Sequence, residues 1–105
     1  MKKLITDIPQ KELFDGFNGR FFHTESYTIA FWEIKKGSIL PEHEHFHEQT
    51  TQVVEGILEM TINGESFLLE EGMIAHILPN IIHSGKAITN CKLTDTFCPV
   101  REDYK

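Results

Sequence analysis

The sequence predicts an all-β fold, a small antiparallel β-barrel or jelly roll, and three observations carry that expectation. From Gly37 onward, glycines at 56, 64, 72 and 85 cut the chain into short pieces, the first three of these spaced by eight residues. Short pieces with turn residues at that spacing are the mark of a sandwich or barrel. Within the pieces apolar and polar side chains alternate, the period of a half-buried strand, and no stretch sustains a helical period. Asn63-Gly64 in MTINGESF supplies the two positive-φ residues of a type I′ hairpin turn.

Taken in order, residues 7 to 15 are the one place where a short helical turn is expected. YTIAFWEI (27 to 34) reads as a strand, rich in β-branched and aromatic residues. QTTQVVE (49 to 55) is the next, followed by the incoming arm of the hairpin, where Leu58, Met60 and Ile62 alternate with Glu59 and Thr61. SFLLE (66 to 70), MIAHIL (73 to 78) and KLTDTF (92 to 97) complete the set. With 105 residues and no linker, repeat or low-complexity tract, one domain spanning 1–105 is expected. A small barrel of this kind follows.

Composition excludes several functions. The chain is 40% hydrophobic and 25% charged with eight Phe, enough large apolar side chains to offset chain entropy, which sets disorder aside. A net charge of −6 with scattered Lys and Arg argues against nucleic acid as a partner, because phosphate neutralisation needs clustered cations. The same charge repels anionic ligands at long range, so recognition of one requires a local positive group. Cys91 and Cys98 match no zinc or redox spacing and read as buried or incidental thiols. MKKLITDIPQ lacks an apolar run after its lysines, and no stretch approaches membrane-spanning length, so no membrane partner and a cytoplasmic location are expected.

The stretch HEHFHEQ (43 to 49) concentrates three histidines in seven positions. In a strand, residues two apart share a face, so His43 and His45 would present two imidazoles side by side, half of a metal site. The competing reading is a solvated, charge-rich turn, since Glu42, Glu44, His47 and Glu48 surround the pair. Gln49 opens the next strand and offers a side-chain carbonyl; His83, after LPNII, offers a third imidazole. Three neutral nitrogens and one oxygen suit a divalent transition metal, Zn, Ni, Fe or Mn, rather than Ca or Mg. No ligand in such a set is anionic, so the ion would keep its full charge and attract an anionic ligand.

The stretch from Gly37 to Gly56, GSILPEHEHFHEQTTQVVEG, resembles the first cupin motif: glycine, five residues, HxH, three residues, an acidic or amide ligand, six residues, glycine. Gln49 stands where most cupins carry Glu. GMIAHILPNIIH (72 to 83) resembles the second motif more loosely, with Leu78 in place of proline, Asn80 in place of glycine, and Ala87 where a closing asparagine falls. Asn tolerates the left-handed conformation better than most residues, so the turn into His83 is expected to survive. His23 and His76 fall outside the pattern and read as packed or surface residues, His76 with the option of lining the cavity.

In KLTDTFCPVREDYK, Leu93, Asp95 and Phe97 share one face of a strand. If the apolar pair points inward, so does Asp95, which is costly unless the carboxylate is paired, hydrogen-bonded or protonated. It could instead be a structural partner for Arg101 or a metal-bound histidine, or lie on a strand turned toward water. Asp95, Phe97, Pro99, Arg101, Asp103 and Tyr104 form a terminal pattern that resembles the small pectin-degradation cupins, which linearise cyclic 4,5-unsaturated monouronates. The resemblance implies a metal on His43, His45, Gln49 and His83, with Asp95, Phe97 and Arg101 acting beside it on an anionic sugar acid. It also implies a homodimer, for which the segment with Phe14, Phe17, Phe21 and Phe22 offers an apolar contact. The same ligand set suits a metal-dependent dioxygenase or isomerase, or a cupin that binds a small ligand without turning it over.

Overall fold

Alternating burial stacks the chain into two antiparallel sheets. The computed structural model describes residues 1–105. Its strands are β1 (Lys11–Phe14), β2 (Phe17–His23), β3 (Thr28–Ile34), β4 (Ile39–His43), β5 (Glu48–Glu55), β6 (Leu58–Ile62), β7 (Glu65–Leu69), β8 (Ile74–Ile77), β9 (His83–Ala87) and β10 (Cys91–Cys98). The larger sheet runs β1-β2-β3-β10-β5-β8 and the smaller β4-β9-β6-β7. The larger sheet buries Ala30, Trp32, Val53, Ile77, Leu93 and Phe97 against Leu58, Met60, Leu69 and Ala87 of the smaller. Each large side chain so buried contributes about 1.5–3 kcal/mol. No helix is long and apolar enough to cross a membrane.

The position of β10 sets the site. It lies between β3 and β5, with Asp95 opposite both Ala30 and Thr51, Leu93 opposite Trp32, and Phe97 opposite Gln49. Leu93, Asp95 and Phe97 are all buried, so the strand faces the way its apolar pair demands, with the carboxylate inside.

Several expectations are corrected. The helical turn expected over 7 to 15 is a short 3-10 turn at Ile5–Asp7, and Lys11–Phe14 is a strand. Of the four aromatic residues offered for a contact, Phe17 and Phe21 are core residues, packed edge-on against Trp32 at centroid distances of 6.0 and 5.3 Å, whereas Phe14 is exposed and Phe22 half-buried. His45 lies beyond the end of β4, so the two imidazoles of HxH are brought together by the connection to β5 rather than by strand alternation.

The turns obey their chemistry. Asn63 and Gly64 have φ of 49° and 81°, the type I′ pair, and Asn80 sits at φ 62° in the turn before His83. Gly56, which closes the first histidine motif, has φ 95°, and a Cβ there would collide with the backbone oxygen of Asn90. Both the backbone conformation and the space forbid a side chain. Gly56→Ala is therefore expected to lower stability by about 2 kcal/mol, the scale of a strained left-handed residue. Urea melts of the two proteins, compared at equal slope, check it.

Candidate functional site

The site is assembled where the mouths of the two sheets meet. His43 is the last residue of β4 and pairs in register with His83, the first of β9. His45 follows in the connection, and Gln49 is the second residue of β5. One ring nitrogen from each of His43, His45 and His83 falls within 4.8 Å of the others.

The hydrogen bonds decide which nitrogen. Nδ1 of His43 donates to the carbonyl of Pro41 at 2.8 Å, Nδ1 of His45 to that of His47 at 3.0 Å, and Nδ1 of His83 to that of Ile81 at 2.8 Å. A carbonyl oxygen only accepts, so each Nδ1 carries a hydrogen, which leaves Nε2 as the nitrogen free to present a lone pair. Such backbone acceptors orient metal-binding imidazoles. Burial lowers the pKa of His45, with the nearby Arg101 charge adding to it, and lowers that of His83 to about 4. Both rings are therefore neutral at neutral pH.

Two features of this arrangement fit a cation. Nε2 of His83 is buried with no hydrogen-bond partner, an expensive state for a lone pair. Nε2 of His45 faces Oε1 of Gln49 at 3.0 Å, and with Nδ1 already protonated both atoms are acceptors. A divalent ion among the three Nε2 atoms and Oε1 would satisfy all of them. The set of three imidazoles and an amide oxygen suits Zn, Ni, Fe or Mn.

The cavity that these four residues line is also lined by Asp95, Phe97 and Arg101. Its deeper wall is apolar, with Trp32, Leu58, Met60 and Leu93. Asp95 accepts two hydrogen bonds, from the Thr51 hydroxyl at 2.6 Å and the Trp32 indole N–H at 3.0 Å. Burial pushes its pKa up from 3.8 to about 6, against the lowering effect of these donors, of the nearby Gln49 side chain and of the Arg101 charge. Arg101 is buried, stacked with its guanidinium carbon 4.6 Å from the Phe97 ring and 3.9 Å from the Tyr104 ring. Its Nε and Nη2 form a bidentate pair with Asp103 at 3.0 and 2.8 Å. Of the partners the sequence offered for Asp95, Arg101 is thus not the one used; Asp103 holds that guanidinium.

The other histidines separate cleanly. His76 pairs with Glu48 at 2.5 Å on the exposed face of β8, away from the cavity. His23 Nδ1 is hydrogen-bonded to the buried Thr28 hydroxyl at 2.9 Å, which also accepts the Arg101 backbone N–H. His47, read as polar surroundings, is buried, stacked 4.1 Å from Phe46 and edge-on to His45. Sequence reasoning missed Thr51 and Trp32 as partners of Asp95. Thr51 is two residues from Gln49 and hence on its face of β5, a signal that was present; Trp32 needed the cross-strand register.

The sequence profile of the Cupin domain family matches residues 30–97, from β3 through Phe97. The chain belongs to the cupins. Over 93% of its length, and 92% of the relative's, it is 29% identical to the pectin degradation protein KdgF of Dickeya dadantii (strain 3937). Among solved structures it superposes on KdgF from a Halomonas species with a TM-score of 0.91 at 22% identity, covering 97% and 96% of the two chains. It superposes on an RmlC-like cupin from Shewanella frigidimarina NCIMB 400 with a TM-score of 0.93 at 24% identity, covering 98% and 94%. At these identities the structural matches establish the jelly-roll fold, and the resemblance to the pectin-degradation cupins extends over nearly the whole chain.

Two predictions follow from the site of this cupin. Zinc(II) added at 100 times its dissociation constant is expected to stabilise the native protein by about 2.7 kcal/mol. On a chain of this size that is a rise in Tm of roughly 10 °C or more. In His83→Ala the rise should largely vanish, and thermal melts with and without zinc check it. The second prediction concerns Asp95 in metal-free protein. Its folded pKa of about 6 lies above the 3.8 of an unperturbed aspartate, so its contribution to stability is fully present below pH 3.8 and is lost as pH rises through 6. Asp95→Asn removes that loss. Between pH 4 and pH 7 the variant should gain on the native protein by on the order of 2 kcal/mol, whatever the offset between them from the lost acceptor. Denaturant melts across that range measure the slope.

Proposed function

We propose that this cupin is a metal-dependent enzyme that opens cyclic 4,5-unsaturated monouronates to linear 4-deoxy-5-keto sugar acids. The observation that supports it most is that Asp95, Phe97 and Arg101 of the carboxy-terminal pattern line the same cavity as His43, His45, Gln49 and His83. The likeness to a protein of pectin degradation points the same way.

The reaction is an isomerisation. The anomeric hydroxyl loses a proton, the bond between the anomeric carbon and the ring oxygen breaks, the electrons pass through the enol ether, and C4 gains a proton; no oxidant or reductant is consumed. When bound, the ion supplies Lewis acidity and an anchor for an anionic or hydroxylated ligand. His43, His45, Gln49 and His83 hold it. Asp95 is the group for proton transfer, since a carboxyl that titrates near 6 can give and take a proton near neutral pH. Its two donors, Thr51 and Trp32, fix the carboxylate in place while it does so. Arg101 supplies the positive charge that a chain of net charge −6 otherwise lacks around a uronate carboxylate. Two of its five N–H donors go to Asp103, leaving others for the ligand. Phe97 and the apolar wall pack against the sugar ring and exclude water.

The test is the ultraviolet absorbance of freshly generated 4,5-unsaturated galacturonate, whose conjugated double bond disappears on ring opening. Metal-loaded native protein should accelerate the decay. Metal-stripped protein and metal-loaded Asp95→Asn should fall to within about tenfold of the uncatalysed rate, general acid–base catalysis alone accounting for 10²–10⁴-fold. Decay at the uncatalysed rate in all three removes the assignment.

A further inference from the structure

We infer that Thr51 is a positioning residue for the metal centre: its hydroxyl, held by Asp95, turns the Gln49 amide so that oxygen rather than nitrogen faces the three imidazoles. This rests on the metal reading of the site and goes beyond it.

The chemistry begins with a difference between ligand types. A carboxylate presents oxygen to a cation whichever way it turns, whereas an amide presents a lone pair on one side and two hydrogens on the other. A cupin with glutamine in this position therefore has an orientation to specify that one with glutamate does not. Here the specification is a chain of hydrogen bonds. Thr51 lies on the same face of β5 as Gln49, two residues on, and directly opposite Asp95 of β10. Its oxygen is 2.6 Å from Oδ1 of Asp95 and 2.9 Å from Nε2 of Gln49. A hydroxyl has one hydrogen. Given to the carboxylate, it leaves only lone pairs for Gln49, and the amide must meet them with its NH₂. Oε1 is then directed to His45, where it lies 3.0 Å from Nε2.

The far end of the chain is fixed as well. The second oxygen of Asp95 takes the indole N–H of Trp32, whose ring is wedged among Phe17, Phe21 and Tyr104 at centroid distances of 6.0, 5.3 and 6.2 Å. Thr51 itself is 1% exposed, so water has little access to substitute for its hydroxyl. A purely structural role for Thr51 accounts for its burial. It leaves unexplained why the hydroxyl is placed between the amide and the carboxylate with both distances short.

The test compares native protein, Thr51→Val, which keeps the shape and loses the hydroxyl, and Thr51→Ser, which keeps the hydroxyl. Cobalt(II) affinity is measured by competition with a chromophoric chelator, and the visible d–d spectrum is recorded. Thr51→Val should bind cobalt about 10-fold more weakly, at the lower end of the range for removing a group that orients a ligand, with an altered spectrum. Thr51→Ser should stay within about twofold of native with the native spectrum. Equal affinity and spectrum in Thr51→Val, or a loss in Thr51→Ser as large as in Thr51→Val, overturns the inference and leaves the metal centre intact. Native protein that binds no cobalt overturns both. Should Thr51→Val not fold, zinc-loaded native protein decides: in its NMR spectrum the Gln49 side-chain NH₂ should be protected from exchange and show a nuclear Overhauser effect to the Thr51 side chain. An NH₂ that exchanges freely, without that contact, overturns the inference.

Discussion

A carboxylate inside the barrel is the constraint around which the rest of this structure is arranged. Asp95 is 7% exposed and flanked on its own strand face by Leu93 and Phe97, so it cannot reach water without withdrawing two core residues. An unpaired charge in such a place costs several kcal/mol, and the fold offsets that cost with donors from both neighbouring strands. Thr51 comes from directly opposite on β5 and Trp32 from the diagonal position on β3. Ala30, small and fully buried, stands opposite Asp95 on that side, which leaves the indole room to lean across. The aromatic amino-terminal strands find their function here: Phe17 and Phe21 close around Trp32 and set where its N–H points.

The histidines are arranged by the opposite logic. A metal site needs lone pairs aimed at one place, and backbone carbonyls of Pro41, His47 and Ile81 hold the Nδ1 hydrogens of the three imidazoles away from it. Two of these acceptors, the carbonyls of Pro41 and Ile81, lie two residues before the ring they hold, so short local geometry does the work on β4 and in the turn before β9. The turn before His83 depends on Asn80 in the left-handed region, so the substitution of a non-glycine residue in the second motif leaves the geometry of the site intact. Because burial holds His83 far below its usual pKa, protons are weak competitors for the site at neutral pH.

How far the sequence could be read depended on whether a strand advertised itself by alternation. β3, β5, β6 and β10 bury every second residue and were legible, and with them the inward face of Asp95. β4 and β9 were not: ILPEH and HSGKA carry Pro41, Gly85 and charged residues that favour turns, and they form strands because tertiary pairing with each other and with β6 overrides propensity. β2 contains Gly19, and a Cβ there would fall 2.6 Å from Phe21 and 2.8 Å from Trp32, so the residue that weakens the strand signal is the one that lets the aromatic cluster close. The cluster HEHFHEQ was legible as chemistry before it was legible as structure. The inference that His43 and His45 meet reached a sound conclusion by a wrong route, because His45 lies past the strand end. Trp32 as the donor to Asp95 lies sixty-three positions away and could not be found without the register.

The two charged groups beside the histidines are kept from neutralising each other, and in the proposed function that separation gives both a use. Arg101 and Asp95 line one cavity, yet the guanidinium is held by Asp103 and the carboxylate by neutral donors. A direct ion pair would favour the charged carboxylate and draw its pKa well below the carboxylate range, leaving a group unable to deliver a proton near neutral pH. It would also consume the donors that an incoming anion needs. As built, desolvation dominates at Asp95 and the Arg101 charge is the weakest of the influences opposing it, so the acid stays poised near 6. Asp103 is largely exposed at the surface, where an ion pair is weak, while Phe97 and Tyr104 clamp the guanidinium from its faces. The grip on Arg101 is thus geometric more than electrostatic: it fixes the fork in place without fully spending its charge, and in the proposed function a ligand carboxylate arriving beside it would meet a cation that is already oriented.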